Sequence, residues 1–415
     1  MNLFKTLLIP AMLLGTFLTS CNNEEENNPE TTSDIKVVWK ANLGEMNNPL
    51  ENLYLYPAID ENDNLYYVLN NFTLNLTTPE MVSVSSSGQV RWRTLLDEGF
   101  GDVNSYPVFS NGKVFQTFNN HLYCFNAGNG TLEWKKNLPG DADYFSSVAV
   151  KDNRLYVSST IDYSDTRLFC YGLDGSEIFT KDFPDMASSG PVIIHGDQLI
   201  IWCIQDPKIL ITSLNGELSK LINLHDDGYN LLQVPSVCPV IDEDGNLIFA
   251  ASRFEDSKVY FASYSQEGTE NWRYDSDNQL SQITLDGDNL LLALSDLVCL
   301  NAGNGSVNWT VSQTWLASFG GNVLAANAGY FSADWIGIAC ASNSSITLDD
   351  NIFMGHGTTA INHAGQLLLF TAVSSSDGGD DVRYLYCLDA GTNGLKNNLT
   401  WPLPGYDYAN TFCKP

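Results

Sequence analysis

A line of about thirteen residues recurs along the chain, and it constrains the fold more than any other feature of the sequence. Its two best copies run from Leu122 to Trp134 and from Leu297 to Trp309, and both read Leu-x-Cys-apolar-Asn-Ala-Gly-Asn-Gly-x-apolar-x-Trp. Each copy places a Gly/Asn turn between two apolar segments, which is typical of a β-hairpin. Weaker copies begin at Met81, Leu168, Tyr260 and Leu385.

A second hairpin precedes most copies of this repeat. Polar turns such as Asp60–Asn64, Asn111–Gly112 and Asp242–Asn246 separate short apolar segments there. Two consecutive hairpins make a four-stranded unit. The sequence therefore predicts an all-β chain built from such units.

The position that is aromatic in most copies and marks the last strand of each unit gives the period of the repeat. It falls at Trp92, Trp134, Phe179, Lys220, Trp272 and Trp309, with separations of 42, 45, 41, 52 and 37 residues. A period near 40–45 residues with four strands is typical of a β-propeller blade. A blade cannot cover its own apolar face, so neighbouring blades must stack. We predict a single propeller of four-stranded blades.

The number of blades depends on the second half of the chain. From Trp309 to the matching position near Asn398 there are 89 residues, which is room for two blades. Residues 311–357 are then either a degenerate seventh blade or an insertion. The segment Ile35–Trp39 has a Trp but no hairpin before it, so we expect it to supply the outer strand of the final blade and close the ring. Eight blades are favoured, with seven as the fallback.

This repeat is similar to that of the pyrroloquinoline-quinone-type, or quinoprotein-like, propellers. The resemblance covers nearly all of residues 35–398, and the C-terminal tail, 399–415, contains a segment, Trp401–Thr411, that resembles a Trp-Pro segment of such proteins. The family includes quinone-dependent dehydrogenases and members without a cofactor, among them the propeller lipoprotein of the outer-membrane barrel-assembly machinery. The resemblance implies the fold and leaves two functional classes open.

The residues favour the class without a cofactor. The quinone enzymes carry two adjacent cysteines joined as a ring, a stacking Trp and a calcium ion, and no Cys-Cys pair occurs in this chain. His356 and His363 lie close together in sequence without metal-ligand spacing. The loop 374–381 could chelate calcium, although a solvated loop is the favoured interpretation. We assign no cofactor, metal or catalytic residue.

The cysteines separate into two groups by their place in the repeat. Cys124, Cys170, Cys299 and Cys387 occupy one position in four different repeats, and equivalent sites in different blades are too far apart for a disulfide, which needs Cα atoms within about 7 Å. We predict that these four are small core residues. The pairing of the others stays open: Cys203, Cys238, Cys340 and Cys413.

The N-terminus has the three zones of a bacterial secretory signal: Lys5, an apolar run to Leu18, and small residues before Cys21. Leu18-Thr19-Ser20-Cys21 resembles a lipobox, which implies that residues 1–20 are removed and that Cys21 is lipidated. Residues 21–33 form a polar, acidic segment that we interpret as a disordered tether. It is similar to the signal that sends Bacteroidetes lipoproteins to the cell surface; a merely solvated linker is the alternative.

Charge and aromatic residues complete the expectation for function. Removing residues 1–20 takes away Lys5 alone and leaves 19 basic and 49 acidic residues, a net charge of −30, which disfavours nucleic acid and anionic lipid as partners. Trp315, Trp335 and Trp401 lie outside the repeat pattern and are candidates for a binding surface. We expect an exported, lipid-anchored, non-enzymatic propeller that binds a protein or glycan partner.

Two alternatives stay open for this function: a quinone-dependent dehydrogenase, and a scaffold like the barrel-assembly lipoprotein. The expected location is the outer membrane, at the cell surface or, for the scaffold, on its periplasmic face.

Overall fold

The computed structural model divides into two compact units, residues 1–33 and 34–415, and the structure describes parts of the second. The first unit, with the predicted signal peptide, Cys21 and tether, lies outside the described residues. The described residues are 36–46, 56–69, 78–97, 105–138, 146–162, 164–186, 192–203, 208–224, 230–231, 239–252, 259–277, 282–294, 296–311, 322–326, 329–333, 338–340, 345–346, 359–373, 381–389 and 413–414.

All regular secondary structure in these residues is β-strand, so the all-β prediction is confirmed, and the strands form eight separate sheets. We number the sheets along the chain. The first half of the chain contributes β1 (Lys36–Met46); sheet 1 with β2 (Ala58–Ile59), β3 (Leu65–Leu69), β4 (Glu80–Val84) and β5 (Val90–Leu95); sheet 2 with β6 (Val108–Ser110), β7 (Lys113–Phe118), β8 (His121–Asn126) and β9 (Leu132–Asn137); sheet 3 with β10 (Ala149–Lys151), β11 (Arg154–Ile161), β12 (Asp165–Gly172) and β13 (Glu177–Phe183); and sheet 4 with β14 (Val192–His195), β15 (Gln198–Cys203), β16 (Lys208–Ser213) and β17 (Leu218–Asn223).

The second half of the chain repeats this arrangement. It contributes sheet 5 with β18 (Asn230–Leu231), β19 (Val240–Ile241), β20 (Leu247–Ser252), β21 (Val259–Tyr264) and β22 (Glu270–Ser276); sheet 6 with β23 (Gln282–Asp286), β24 (Asn289–Ala293), β25 (Leu297–Asn301) and β26 (Val307–Val311); sheet 7 with β27 (Asn322–Ala326), β28 (Gly329–Ala333), β29 (Ile338–Cys340) and β30 (Ser345–Ile346); sheet 8 with β31 (Thr359–Ile361), β32 (Leu367–Val373) and β33 (Asp381–Asp389); and last β34 (Cys413–Lys414). The segment 311–357, whose sequence departs from the repeat, thus contributes a four-stranded sheet.

The two ends of the chain each join a sheet that is distant in sequence. β1 pairs antiparallel with β33 and is the outer strand of sheet 8. β34 pairs parallel with β14, the first strand of sheet 4. Every other ladder of the eight sheets joins strands that are close in sequence and run antiparallel.

Tight polar turns connect the hairpins, as the sequence predicts. In sheets 2 and 3 the first hairpin turns through two residues with positive φ, Asn111 (51°) with Gly112 (71°) and Asp152 (50°) with Asn153 (61°), which matches the twist of the strands. Sheets 1, 5 and 8 use a longer turn, in which the side chain of Asp60, Asp242 or Asn362 accepts a backbone N–H four residues later.

A β-bulge recurs in the outer strand, just before the aromatic position of the repeat. In sheet 2 Cys124 lies opposite Trp134, but Phe125 lies opposite Leu132, so Glu133 is the extra residue. The same shift occurs in sheets 1, 3, 4, 5 and 6. A bulge turns the following side chain away from the regular alternation. The repeat position predicted from sequence thus occupies the same place in the outer strand of these six sheets. The bulge before it changes the direction in which its side chain points.

The core lies between successive sheets. One apolar cluster joins residues of sheets 8 and 1, a second those of sheets 1 and 2, a third those of sheets 2, 3 and 4, and a fourth those of sheets 4, 5 and 6. Every residue of β3 is buried although its side chains alternate between two faces. Sheets 1 to 5 are thus covered by neighbours on both sides, and this stacking stabilises the fold.

Candidate functional site

The aromatic residues of the repeat lie at contacts between sheets. Trp92 of sheet 1 covers Gly130 in the last turn of sheet 2, and its indole Nε1 donates to the Ala127 carbonyl at 3.0 Å. Gly130 has a φ of 73°, and a Cβ added there would overlap the Trp92 ring. The turn must therefore be glycine for two reasons, backbone conformation and space.

The same contact recurs at other junctions. The rings of Trp39, Trp134, Phe179 and Trp272 each cover the turn glycine of the following sheet. The indoles donate to a backbone carbonyl, Trp39 to Ser86 at 2.8 Å, Trp134 to Leu173 at 3.1 Å and Trp272 to Ala302 at 2.6 Å. Trp39 belongs to sheet 8 and reaches Gly88 of sheet 1. These rings therefore serve to pack neighbouring sheets together.

The junction between sheets 4 and 5 differs from the others. Lys220 occupies the repeat position opposite Ile211, and Ile222 instead faces Gly268. Polar groups add to this contact: Gln266 Nε2 lies 3.2 Å from His195 Nδ1 and donates to the Gly245 carbonyl at 3.2 Å. The substitution at Lys220 is visible in the sequence, whereas the replacement contacts of Ile222 and Gln266 follow no repeat pattern.

A buried polar network links sheets 1 and 2 beneath the turns. Tyr66 Oη donates to Asp60 Oδ2 at 2.8 Å, and Arg91 Nη1 donates to Ser83 Oγ at 2.9 Å and to the Ala127 carbonyl at 3.3 Å. Burial is the largest cause that raises the pKa of Tyr66 above its ordinary value. The phenol therefore stays protonated as a donor. The network fixes a sheet junction and carries no reactive group.

The four cysteines in register are buried thiols on the third strands of sheets 2, 3, 6 and 8. Burial raises the pKa to about 12 for Cys124 and Cys387 and to about 11 for Cys170 and Cys299. The prediction that they are core residues is confirmed. Cys203 is also a buried thiol, and Trp202 beside it in the chain is buried as well.

These thiols do not fit a quinone site of the enzyme type. Such a site needs two adjacent cysteines, and no two cysteines are adjacent in the sequence. The buried thiols that the structure describes also lie on different sheets. In the part of the chain that the structure describes, no group of three or more His, Cys, Asp or Glu side chains could hold a metal ion. His363, which lies near His356 in sequence without metal-ligand spacing, pairs with Asp63 of sheet 1 at 2.8 Å.

The other predicted site residues lie outside the described residues. These are Cys21, His356, the tryptophans Trp315, Trp335 and Trp401, and residues 374–380 of the acidic loop, while the side chains of Cys238, Cys340 and Cys413 are likewise not described. Within the described residues, none forms a helix that is long and apolar enough to cross a membrane.

Charge pairs recur across the junctions near the turns. Lys181 pairs with Glu217 at 2.7 Å between sheets 3 and 4, Lys135 pairs with Asp97 between sheets 2 and 1, and Lys151 lies 3.5 Å from Asp197. These three lysines thus link neighbouring sheets through charge pairs.

Comparison with known proteins identifies the fold and the family. The family model described as outer membrane protein assembly factor BamB matches residues 36–182 and 80–311. The solved BamB of Moraxella catarrhalis is 13% identical, with 85% of this chain and 98% of that chain covered and a TM-score of 0.55. The Dos1 propeller is 10% identical, with 88% and 97% covered and a TM-score of 0.54.

A quinohemoprotein alcohol dehydrogenase from Comamonas testosteroni is a more distant neighbour. It is 9% identical, with 88% of this chain and 77% of that chain covered and a TM-score of 0.44. No curated protein sequence matches the chain. At these identities the likeness to BamB and to the Dos1 propeller shows the fold, so the stacked sheets form a β-propeller.

Proposed function

The chain belongs to the family of the outer membrane protein assembly factor BamB, and from that premise we propose that it is a lipid-anchored, non-enzymatic propeller that holds a protein partner at the outer membrane. The observation that carries this proposal is the family match over residues 80–311, more than half of the chain. A glycan partner fits the same anchored propeller but has no support from the family.

The proposal includes a closed ring of eight blades. Contacts between successive sheets support it: Trp92 joins sheets 1 and 2, Trp134 joins 2 and 3, and Trp272 joins 5 and 6. The last sheet meets the first twice, where Trp39 covers Gly88 and where His363 pairs with Asp63. Closure by β1 leaves no unpaired sheet at either end of the array.

The lipid anchor on Cys21 is the second part of the proposal. Its support is the lipobox-like segment Leu18–Cys21 after an apolar run. Replacing Cys21 by Ala, while residues 1–20 are kept, should move the exported protein from the membrane to the soluble fraction. A Ser20→Ala variant, which keeps the cysteine, is the matched control and should stay with the membrane. Retention of the Cys21→Ala variant on the membrane excludes the anchor.

The partner is tested with a photo-crosslinking residue placed at exposed positions of the propeller in living cells. Glu61, Asp152 and Glu243 sample the first turns of sheets 1, 3 and 5 and are exposed. Trp315, Trp335 and Trp401 sample the predicted aromatic surface. We expect one set to give a discrete protein adduct, identified by mass spectrometry, and the other set to give none. Absence of an adduct from every position, with the protein correctly localised, contradicts the scaffold function.

The remaining alternatives are separated by two measurements. Protease treatment of intact cells should leave the propeller intact if it faces the periplasm, as the barrel-assembly-like scaffold does, and should degrade it if it lies at the cell surface. Titration of purified protein with pyrroloquinoline quinone and calcium should give no saturable spectral change. We expect no uptake because the chain lacks the adjacent cysteines of the quinone enzymes. Stoichiometric uptake would overturn the non-enzymatic assignment.

A further inference from the structure

The first strand of sheet 4 carries an additional strand on its free edge. Cys413 lies opposite Ile194 and Lys414 opposite His195, in parallel register. β34 also lies beside β10 of sheet 3. In the described part of the chain, the first strands of the other seven sheets have no such extra partner. The end of the chain therefore occupies one selected edge out of eight.

The acceptor strand offers its main chain to this partner. Val192, Ile193 and Ile194 are fully buried, so their side chains are engaged in the core between sheets. What remains available at the edge is a row of backbone N–H and C=O groups, which pair with any extended segment. Recognition by such an edge is β-strand addition, in which main-chain hydrogen bonds provide most of the affinity.

The resident segment is short, and one of its two residues, Lys414, is basic. It pairs at two positions, so it makes few hydrogen bonds, and its hold on the edge is weak compared with a full strand. Lys414 lies opposite His195, two residues before Asp197, whose side chain is 94% exposed and 3.5 Å from Lys151. A basic residue at this place suits a chain with a net charge of −29.

We propose that the free edge of β14 is a binding slot for an extended basic peptide segment, and that β34 is its resident occupant, displaced when a partner binds. The slot goes beyond the scaffold function proposed above and does not depend on the lipid anchor or on the location of the protein.

The test weakens the resident strand and offers a replacement. The full-length protein with Cys413→Pro and Lys414→Pro keeps its length but loses both N–H groups of β34. Successive N–H groups point to opposite sides of a strand, so the double change removes the donor toward β14 whichever residue carries it. The probe is a fluorescein-labelled peptide that copies residues 409–415, and its binding is followed by fluorescence anisotropy. Because the resident competes as an intramolecular ligand at high effective concentration, we expect the variant to bind the probe at least about tenfold more tightly than the unmodified protein.

Two control peptides identify the mode of binding. A peptide N-methylated at the positions of Cys413 and Lys414 lacks the donors and should not bind, whereas a peptide with Glu in place of Lys414 should bind several-fold more weakly. Equal affinity of both proteins for the probe, or undiminished binding of the N-methylated peptide, overturns the proposal. If the double variant unfolds, the test is repeated with Lys414→Pro alone. A urea midpoint equal to that of the unmodified protein shows that this single variant is folded.

Discussion

The junction between sheets 1 and 2 and the junction between sheets 4 and 5 solve the same packing problem with different side chains. At the first, the Trp92 indole covers Gly130 and donates to the Ala127 carbonyl. At the second, Ile222 approaches a Cβ added to Gly268 no closer than 3.3 Å, and the repeat position holds Lys220. The glycine and the bulge are retained at both, whereas the ring is lost at one.

The difference shows which parts of the repeat are separable. The bulge and the turn glycine set the backbone of each unit. The bulge persists in sheet 4 and the turn glycine, Gly268, persists in sheet 5, although no indole lies at the junction of these two sheets. The ring sets the strength of the junction, and hydrogen bonds of Gln266 take part of its place. A chain that tolerates this loss at one junction should still depend on the ring where it is present.

The largest effect is expected from Trp92→Ala. Removing a buried aromatic side chain costs about 3–5 kcal/mol of unfolding free energy, and here the Ala127 carbonyl also loses its indole donor. Lys220→Ala changes the equivalent position of sheet 4 and should stay within about 0.5 kcal/mol, since it removes only a long ion pair with Glu267 at 4.0 Å. Urea unfolding followed by Trp fluorescence and circular dichroism measures both. Similar midpoints for the two variants contradict the comparison.

The turn glycine tests the same junction from the opposite side. Gly130→Ala places a Cβ at positive φ and into the Trp92 ring, so we expect a loss of about 2–4 kcal/mol from both effects. Gly112→Ala has a similar φ of 71° and open space, and should lose only about 1–2 kcal/mol.

In a Trp92→Ala background the cost of Gly130→Ala should fall to that of Gly112→Ala, because the ring that it overlaps is gone. Equal costs in both backgrounds would show that backbone conformation alone selects the glycine.

A smaller effect is expected at the junction without the ring. Gln266→Ala removes two polar contacts, with His195 and with the Gly245 carbonyl, and should lower the unfolding free energy by about 1 kcal/mol. Glu267→Ala, next in sequence, is the control; its carboxylate is 77% exposed and should contribute close to nothing. If the two variants behave alike, the polar contacts do not replace the indole.

Much of this arrangement could be predicted from sequence, because it depends on local signals. The hairpin turns, the position opposite Cys124 and the register of Lys220 all follow from spacing within one unit. The pairing of β34 with β14 could not be predicted, since two residues joined across 219 positions leave no periodic pattern. The contact of His363 with Asp63 is equally non-local, although both residues lie in turns of the same type.

The candidate binding surface was the least predictable part. Trp315, Trp335 and Trp401 are candidates because they fall outside the repeat, which shows only that the repeat does not need them. The tryptophans inside the repeat could be assigned because their neighbours recur. A partner's surface has no such recurrence within one chain, so its position must come from experiment.

The smallest predicted effect is a pH dependence of stability at the junction of sheets 1 and 2 that the junction of sheets 4 and 5 does not share. His121 of sheet 2 lies beside Lys135, which pairs with Asp97 of sheet 1. Burial lowers the pKa of His121 below its ordinary value of 6.5, and the Lys135 charge adds to this, while Asp97 acts in the opposite direction.

The unfolded chain therefore binds this proton more readily than the folded chain, so stability is lost as the pH falls through about 6.5. A His121→Gln variant should show a flatter decrease of the urea midpoint between about pH 7.5 and 5.5. The Gln266→Ala variant, altered at the other junction, should keep the slope of the unmodified protein. A steeper slope in His121→Gln would reverse the sign of this interaction and place the pH sensitivity elsewhere in the propeller.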